Sequence, residues 1–265
     1  MKHKYRSRIQ GESLQLKIRD IEFDIYETFI LPSYFVVIAL FSWLVATKWF
    51  RYDFVSAIIL TLIAVTVFIW SFCKVKKLRK KLLSYRKGLE GERLVGELLN
   101  GLCDNKTAFV FHDIPGDQFN VDHILVSTRG VFVIETKHFD RNKSHEFYFD
   151  GEMIYRQLKN GRKFICPKLL PQMDGEASFI QGEIERRTDL KISVTKVAVI
   201  VGSFVHTPTE SSANKKMKLY FDKYWIVNES LFPSMFTEEP EIYDESVVKH
   251  IASHIKEWIK IDVDG

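Results

Sequence analysis

Two stretches of the chain carry no charge for close to twenty positions each: residues 29–47 (FILPSYFVVIALFSWLVAT) and residues 54–73 (FVSAIILTLIAVTVFIWSFC). As helices, each would cross roughly 30 Å of hydrocarbon. Only KWFRYD separates them, so they are expected to form a tight hairpin, with Trp43, Trp49, Phe50 and Tyr52 as an aromatic belt. A pair of buried core helices, or a signal peptide followed by one span, would meet the length criterion as well. The first would need an outsized apolar core, and the second a short apolar region with a small-residue cleavage site near the start.

Beyond residue 82 the pattern changes to alternating helix and strand periods. In YRKGLEGERLVGELLNGL, Leu94, Val95, Leu98, Leu99 and Leu102 form one helical stripe. AFVFHDI reads as a strand and PGD as a turn, and VDHILVS and GVFVIETK read as two strands joined at STRG. HEFYFDGEMIYRQ predicts a peripheral hairpin around its Asp-Gly turn. Residues 172–187 predict a helix, SVTKVAVIVGSFV a central strand and KLYFDKYWIVN another strand. In DESVVKHIASHIKEWIKI, apolar positions from Val247 to Ile259 recur at helical spacing behind an acidic first turn, which predicts a packing helix. This order of elements calls for an α/β sandwich with a mixed sheet. There is no internal repeat and no low-complexity tract.

The expected organisation is an N-terminal arm (residues 1–28), the hairpin (29–73), a basic juxtamembrane linker (74–86) and a globular domain with a C-terminal extension (87–265). KVKKLRKK follows the second apolar stretch, whereas the loop between the stretches holds only Lys48 and Arg51. The positive-inside rule then puts the globular domain and the N-terminal arm in the cytoplasm. The basic run serves first as a topology signal and a contact for anionic lipid, and second as a contact for DNA. A net charge of +4 in 265 residues is too weak to identify an anionic partner. Cys73, Cys103 and Cys166 lie far apart with no CxxC spacing, which argues against a disulfide framework or a zinc site and suits a reducing compartment.

The chemistry concentrates in NVDHILVSTRGVFVIETK. If the turn centres on Thr128 and Arg129, Asp122 lies opposite Glu135 on one face of the hairpin, and a bulge at Gly130 would slip that register. Lys137 projects to the same face and Thr136 to the other. Opposed carboxylates repel unless a cation sits between them, and an all-oxygen donor set suits Mg²⁺ or Mn²⁺. A cross-strand salt bridge from Lys137 to either acid accounts for the same three residues equally well. By alternation His123 and His138 belong to the opposite face, as packing or supporting groups. The polar stretch TPTESSANKK reads as a connecting loop or a substrate flap.

The Asp followed by Glu-x-Lys resembles the motif of PD-(D/E)xK nucleases, and the wider string resembles the nuclease-related domain family, NERD. GLEGERLVGELL, NVDHILVSTRGVFVIETK and the region around CPKLLPQ carry that resemblance, over residues 87–205. It implies a restriction-endonuclease-like mixed sheet flanked by helices. It also implies Asp122 and Glu135 as ligands of Mg²⁺ or Mn²⁺, Glu92 as a further metal-binding acid and Lys137 as the catalytic lysine. Glu92 borders the apolar stripe of its helix and can reach inward, whereas Glu90 is the weaker candidate. Asn120 and Gln172 would bind substrate, although Asn120 stands where the family commonly has Gln. The Asn-Pro-x-x-Gln element is present only loosely, with Cys166 in the place of its Asn. The implied protein is a membrane-anchored metal-dependent nuclease on the cytoplasmic side of a prokaryotic inner membrane, acting on DNA, in a place that would suit defence against incoming DNA. The competing reading is a catalytically silent module that tethers nucleic acid or a protein partner. A homo-oligomer fits either layout.

Overall fold

The structure, a computed structural model, describes residues 5–48, 54–103, 107–116, 119–139, 146–149, 153–206 and 224–262. The loop aromatics Trp49, Phe50 and Tyr52, the Asp150-Gly151 turn and residues 207–216 fall outside them. Among the described residues the chain runs β1 (Tyr5–Arg6), α1 (Glu12–Lys48), α2 (Phe54–Gly101), β2 (Ala108–Pro115), β3 (Asn120–Ser127), β4 (Gly130–His138), β5 (Glu146–Phe149), β6 (Ile154–Gln157) and β7 (Lys163–Ile165). It continues through α3 (Leu169–Thr188), β8 (Val194–Val201), β9 (Phe204–His206), β10 (Tyr224–Asn228), α4 (Phe232–Glu238), α5 (Glu245–Trp258) and β11 (Ile261–Asp262).

Two compact units result, one of residues 13–86 and one of residues 1–12 with 87–265. In the first unit, both helices are long and apolar enough to cross a membrane, and only 17% of each apolar window is buried. That low burial argues against the core-helix alternative, since Val37, Leu40, Phe41, Leu62 and Phe72 all stand exposed. Within the apolar stretches the buried positions are Pro32, Ala39 and Ala46 on α1, and Ala57, Ala64 and Ser71 on α2. Small side chains at seven-residue intervals let two helices approach closely. The Trp43 indole N–H donates to Thr61 Oγ1 at 2.9 Å and ties the pair together.

In the second unit, five strands form a mixed sheet in the order β10-β8-β4-β3-β2. β2, β3 and β4 are antiparallel neighbours, while β4, β8 and β10 run parallel. The hairpin register runs from Ser127 opposite Gly130 to His123 opposite Ile134, so Gly130 introduces no slip. Alternation then sorts the side chains. Ile124, Val126, Val131 and Val133 pack with Ile180 and Ile184 of α3 and with Val248, Ile251 and Ile255 of α5. Leu125, Phe132, Ile134 and Val197 pack with Val95 and Leu99 of α2 and with Phe232 and Phe236 of α4. The result is the expected mixed sheet between helices. A second sheet, β7-β6-β5-β9, lays Phe147, Phe149 and Ile154 against Ala198, Ile200 and Ile226. Each fully buried Val, Leu, Ile or Phe side chain contributes about 1.5–3 kcal/mol.

Three expectations change. Residues 74–86, expected as a linker, are helical, because Lys, Arg and Leu carry α2 unbroken from the apolar stretch into the amphipathic one. The arm of residues 1–28 divides in two. Residues from Glu12 onward belong to α1, whereas the preceding segment packs on the second unit: β1 pairs with β11, and a side chain built at Gly96 would strike Gln10 Cβ at 2.9 Å. The peripheral hairpin is only half of a four-stranded sheet, since the short strands β7 and β9 carry too little pattern to read.

Candidate functional site

The site forms where β3 and β4 stop pairing. His123 still faces Ile134, but the next rung, Asp122 with Glu135, is not formed, nor is the rung between Asp113 and Asp122 on the other side. Asp113 adopts a positive φ of 49°, an uncommon conformation for a non-glycine residue, and kinks β2 there. Its carboxylate accepts from Asn120 Nδ2 at 2.9 Å and lies 3.7 Å from Arg8. With no partner strand directly opposite, Asp122 accepts a hydrogen bond from the Thr136 backbone N–H at 2.8 Å through Oδ2.

Lys137 lies on the same face as Glu135 and donates to its Oε1. It also donates to Gln172 Oε1 at 3.2 Å, and Gln172 Nε2 donates to Glu176 Oε1 at 2.7 Å. Gln172 and Glu176 are one turn apart on α3, so both face β4. Glu135 and Glu176 are buried, and each leaves its Oε2 without a hydrogen-bond partner. Thr136 points the other way, toward α2. A side chain built at Gly91 would meet Thr136 Cγ2 at 3.3 Å and His138 Cβ at 2.7 Å, so Gly91 is the point where helix and strand come closest. The next residue, Glu92, is buried, whereas Glu90 is exposed.

The electrostatics follow from this crowding. Burial raises Asp122 well above its ordinary value, and the charges of Glu135 and Glu92 raise it further, against the Thr136 N–H and Lys137. Burial, then the Glu135 charge, push Glu176 up to about 8, so it holds its proton at neutral pH. Burial acts to lower Lys137, but Glu135, Asp122 and Glu176 outweigh it, so the amine stays an ammonium above its usual value.

Asp122, Glu135, Lys137 and Gln172 are therefore brought together, with Glu92 near enough for its charge to act on Asp122. Asn120 is not part of this group: it is spent on Asp113. Glu176 escaped the sequence reading, although its position four residues after Gln172 was the signal for it. His123 and His138 lie on the opposite face. His123 Nδ1 is 2.8 Å from His112 Nδ1, and His138 Nδ1 contacts the Lys87 carbonyl at 2.8 Å. Among the described residues no three His, Cys, Asp or Glu side chains form a ready-made coordination cluster. The donors still fit a hard cation: Asp122, Glu135 and Glu92 offer carboxylate oxygens, and the Glu135 Oε2 is buried without a partner.

The model of the nuclease-related domain family, NERD, matches residues 87–201 of the chain. The chain is also similar to an uncharacterized protein of Bacillus anthracis, 39% identical over 66 residues, which are 23% of this chain and 31% of that protein. The match thus spans less than a third of that relative. No solved structure matches.

Proposed function

We propose that the protein is a membrane-anchored, metal-dependent nuclease of PD-(D/E)xK type that hydrolyses DNA phosphodiester bonds at the cytoplasmic face of the inner membrane. The observation that carries this reading is the convergence of Asp122, Glu135 and Lys137 where β3 and β4 separate, inside the segment matched as nuclease-related. Asp122, Glu135 and Glu92 would hold Mg²⁺ or Mn²⁺. When bound, such an ion supplies Lewis acidity and a water of lowered pKa. The Thr136 N–H fixes the Asp122 carboxylate. The Lys137 ammonium, steadied by Gln172, is placed to orient a water or to offset charge growing on a phosphoryl oxygen. Glu176 supports Lys137 through Gln172.

Anchoring is supported by the two apolar helices with exposed side chains, and the cytoplasmic placement by the basic run at residues 74–81. Full-length protein in detergent should cleave duplex or single-stranded DNA with Mg²⁺ or Mn²⁺ and stop when the metal is chelated. DNA binding with no cleavage of duplex, single-stranded or branched DNA would replace this reading with the tether.

A further inference from the structure

The sheet β7-β6-β5-β9 packs one face on the core, while on the other Tyr148, Tyr155 and His206 are half-buried and Ile165 and Phe204 exposed. Phe147, Ile154 and Val205 point inward. On the outer face, Ile165, Tyr155, Tyr148 and His206 lie in register, one from each strand. The Tyr148 and His206 rings stack at 4.3 Å and 5°, and Phe204 meets His206 edge-on at 4.7 Å. Glu146 props both stacked rings, accepting from Tyr148 Oη at 2.7 Å and lying 3.1 Å from His206 Nε2. Phe204 is 60% exposed, which a packing role does not explain.

The same sheet is basic. From Met153 to Met173 the chain holds Arg156, Lys159, Arg162, Lys163 and Lys168 and no carboxylate. Among the described residues none of these five is in an ion pair, whereas Lys196, Arg187, Lys249 and Lys260 of the same unit all are. The Arg156 guanidinium sits between the Phe139 and Phe164 rings, 5.5 and 5.4 Å from their centres, with its buried Nε lacking a partner. This strap leads to the candidate site from both sides. Phe139 is two residues beyond Lys137, and β7 passes through Cys166 and Lys168 into α3, whose first turn holds Gln172.

We infer that the outer face of this sheet binds single-stranded nucleic acid, with an unpaired base stacking on Phe204 beside the Tyr148–His206 stack, over whose tyrosine ring Lys163 sits at 5.5 Å, and the phosphates lying along Lys159, Arg162, Lys163 and Lys168. Exposed ring faces serve unpaired bases, because a duplex hides its base faces, and cations beside them track the backbone without reading sequence. An acidic protein would satisfy the cations but leave the rings without a use. The inference rests on the nuclease reading for where the bound strand leads, toward Lys137, and not for the binding itself.

The test is fluorescence anisotropy of full-length protein in detergent, with a labelled oligothymidine of about 15 nucleotides and a duplex of the same length, under chelation so that nothing is cut. The single strand should bind at least about tenfold tighter than the duplex, and Phe204→Ala and Tyr148→Ala should each weaken it roughly 5- to 100-fold. Tyr148→Phe, which keeps the ring, should bind as the wild type does. Replacing Lys159, Arg162 and Lys163 by Gln should flatten the salt dependence by roughly 0.7 per lost phosphate contact. A duplex bound as well as the single strand, ring variants that bind normally, or binding of an acidic polypeptide in place of nucleic acid would each overturn the inference. Single-strand binding without cleavage sinks the nuclease reading and leaves this one standing. Metal-dependent cleavage with no preference for single strands does the reverse.

Discussion

The Thr136 backbone N–H donates to the Asp122 carboxylate at 2.8 Å, across the rung where the ladder between β3 and β4 ends. One side-chain bond replaces a ladder bond and holds a carboxylate against two others of like charge. Such an arrangement costs stability and is retained where a site needs it. Asp122→Asn keeps an oxygen for Thr136 and removes the repulsion from Glu135 and Glu92. Metal-free protein carrying it should unfold later, by on the order of 1 kcal/mol after screening, while losing cleavage. Thermal melts in chelator check this, and a lower melting point would disprove the crowding.

A second expectation concerns pH. The ordinary value for Glu176 is 4.5, and the folded value is about 8. An unfolded chain gives up this proton above 4.5 while the folded one keeps it, so the stabilisation is fully present below 4.5 and is lost as pH rises to 8. His112 acts in the opposite sense: burial lowers it from 6.5 to about 4, so its contribution is lost as pH falls through that window. Above pH 6.5 the histidine's contribution is complete and no longer changes with pH. Glu176→Gln should therefore flatten the decline of metal-free stability between pH 6.5 and 8, by a few kcal/mol at most. Denaturant midpoints across that range are the readout, and an unchanged slope would place the proton on another group.

Gly91 sets the distance between α2 and β4. A methyl group there meets His138 Cβ at 2.7 Å, an atom fixed to the backbone that cannot swing aside. Gly91→Ala should cost about 1–3 kcal/mol and shift Glu92 away from Asp122, lowering cleavage beyond what the loss of folded protein explains. Gly101→Ala, where a methyl group meets nothing within 4 Å, serves as the control.

The register of the β3–β4 hairpin was legible because a two-residue turn leaves one pairing that buries a single face of both strands. The same alternation put His123 and His138 on the far side correctly. The kink at Asp113 was not legible: hydrophobic pattern carries no signal for a non-glycine residue with positive φ, nor for the hydrogen bond that Asn120 donates to its carboxylate. Gln172 was found through its resemblance to a family element, and Glu176 was missed because a buried acid on a helix reads as an ordinary polar position until its neighbour across the sheet is known. The continuity of α2 was hidden because its basic stretch has no apolar period, although its residues are good helix formers. The outer face of the second sheet was invisible because β7 and β9, three residues each, are too short for alternation to show.

Topology is open to direct labelling. With the basic run inside, a cysteine introduced at Tyr52 should react with an impermeant thiol reagent in intact cells, and one at Ser211 should react only after lysis. The reverse pattern would invert the assigned orientation.

If Lys137 acts in catalysis beside an acidic metal site, its removal should separate cleavage from metal binding. Cleavage rate and Mn²⁺ binding are compared for full-length wild type and Lys137→Ala under the same conditions. Lys137→Ala should lose cleavage ~100-fold or more with Mn²⁺ affinity largely kept, since the lysine contributes charge to the reaction and no ligand to the ion. Cleavage by Lys137→Ala at the wild-type rate would contradict that role.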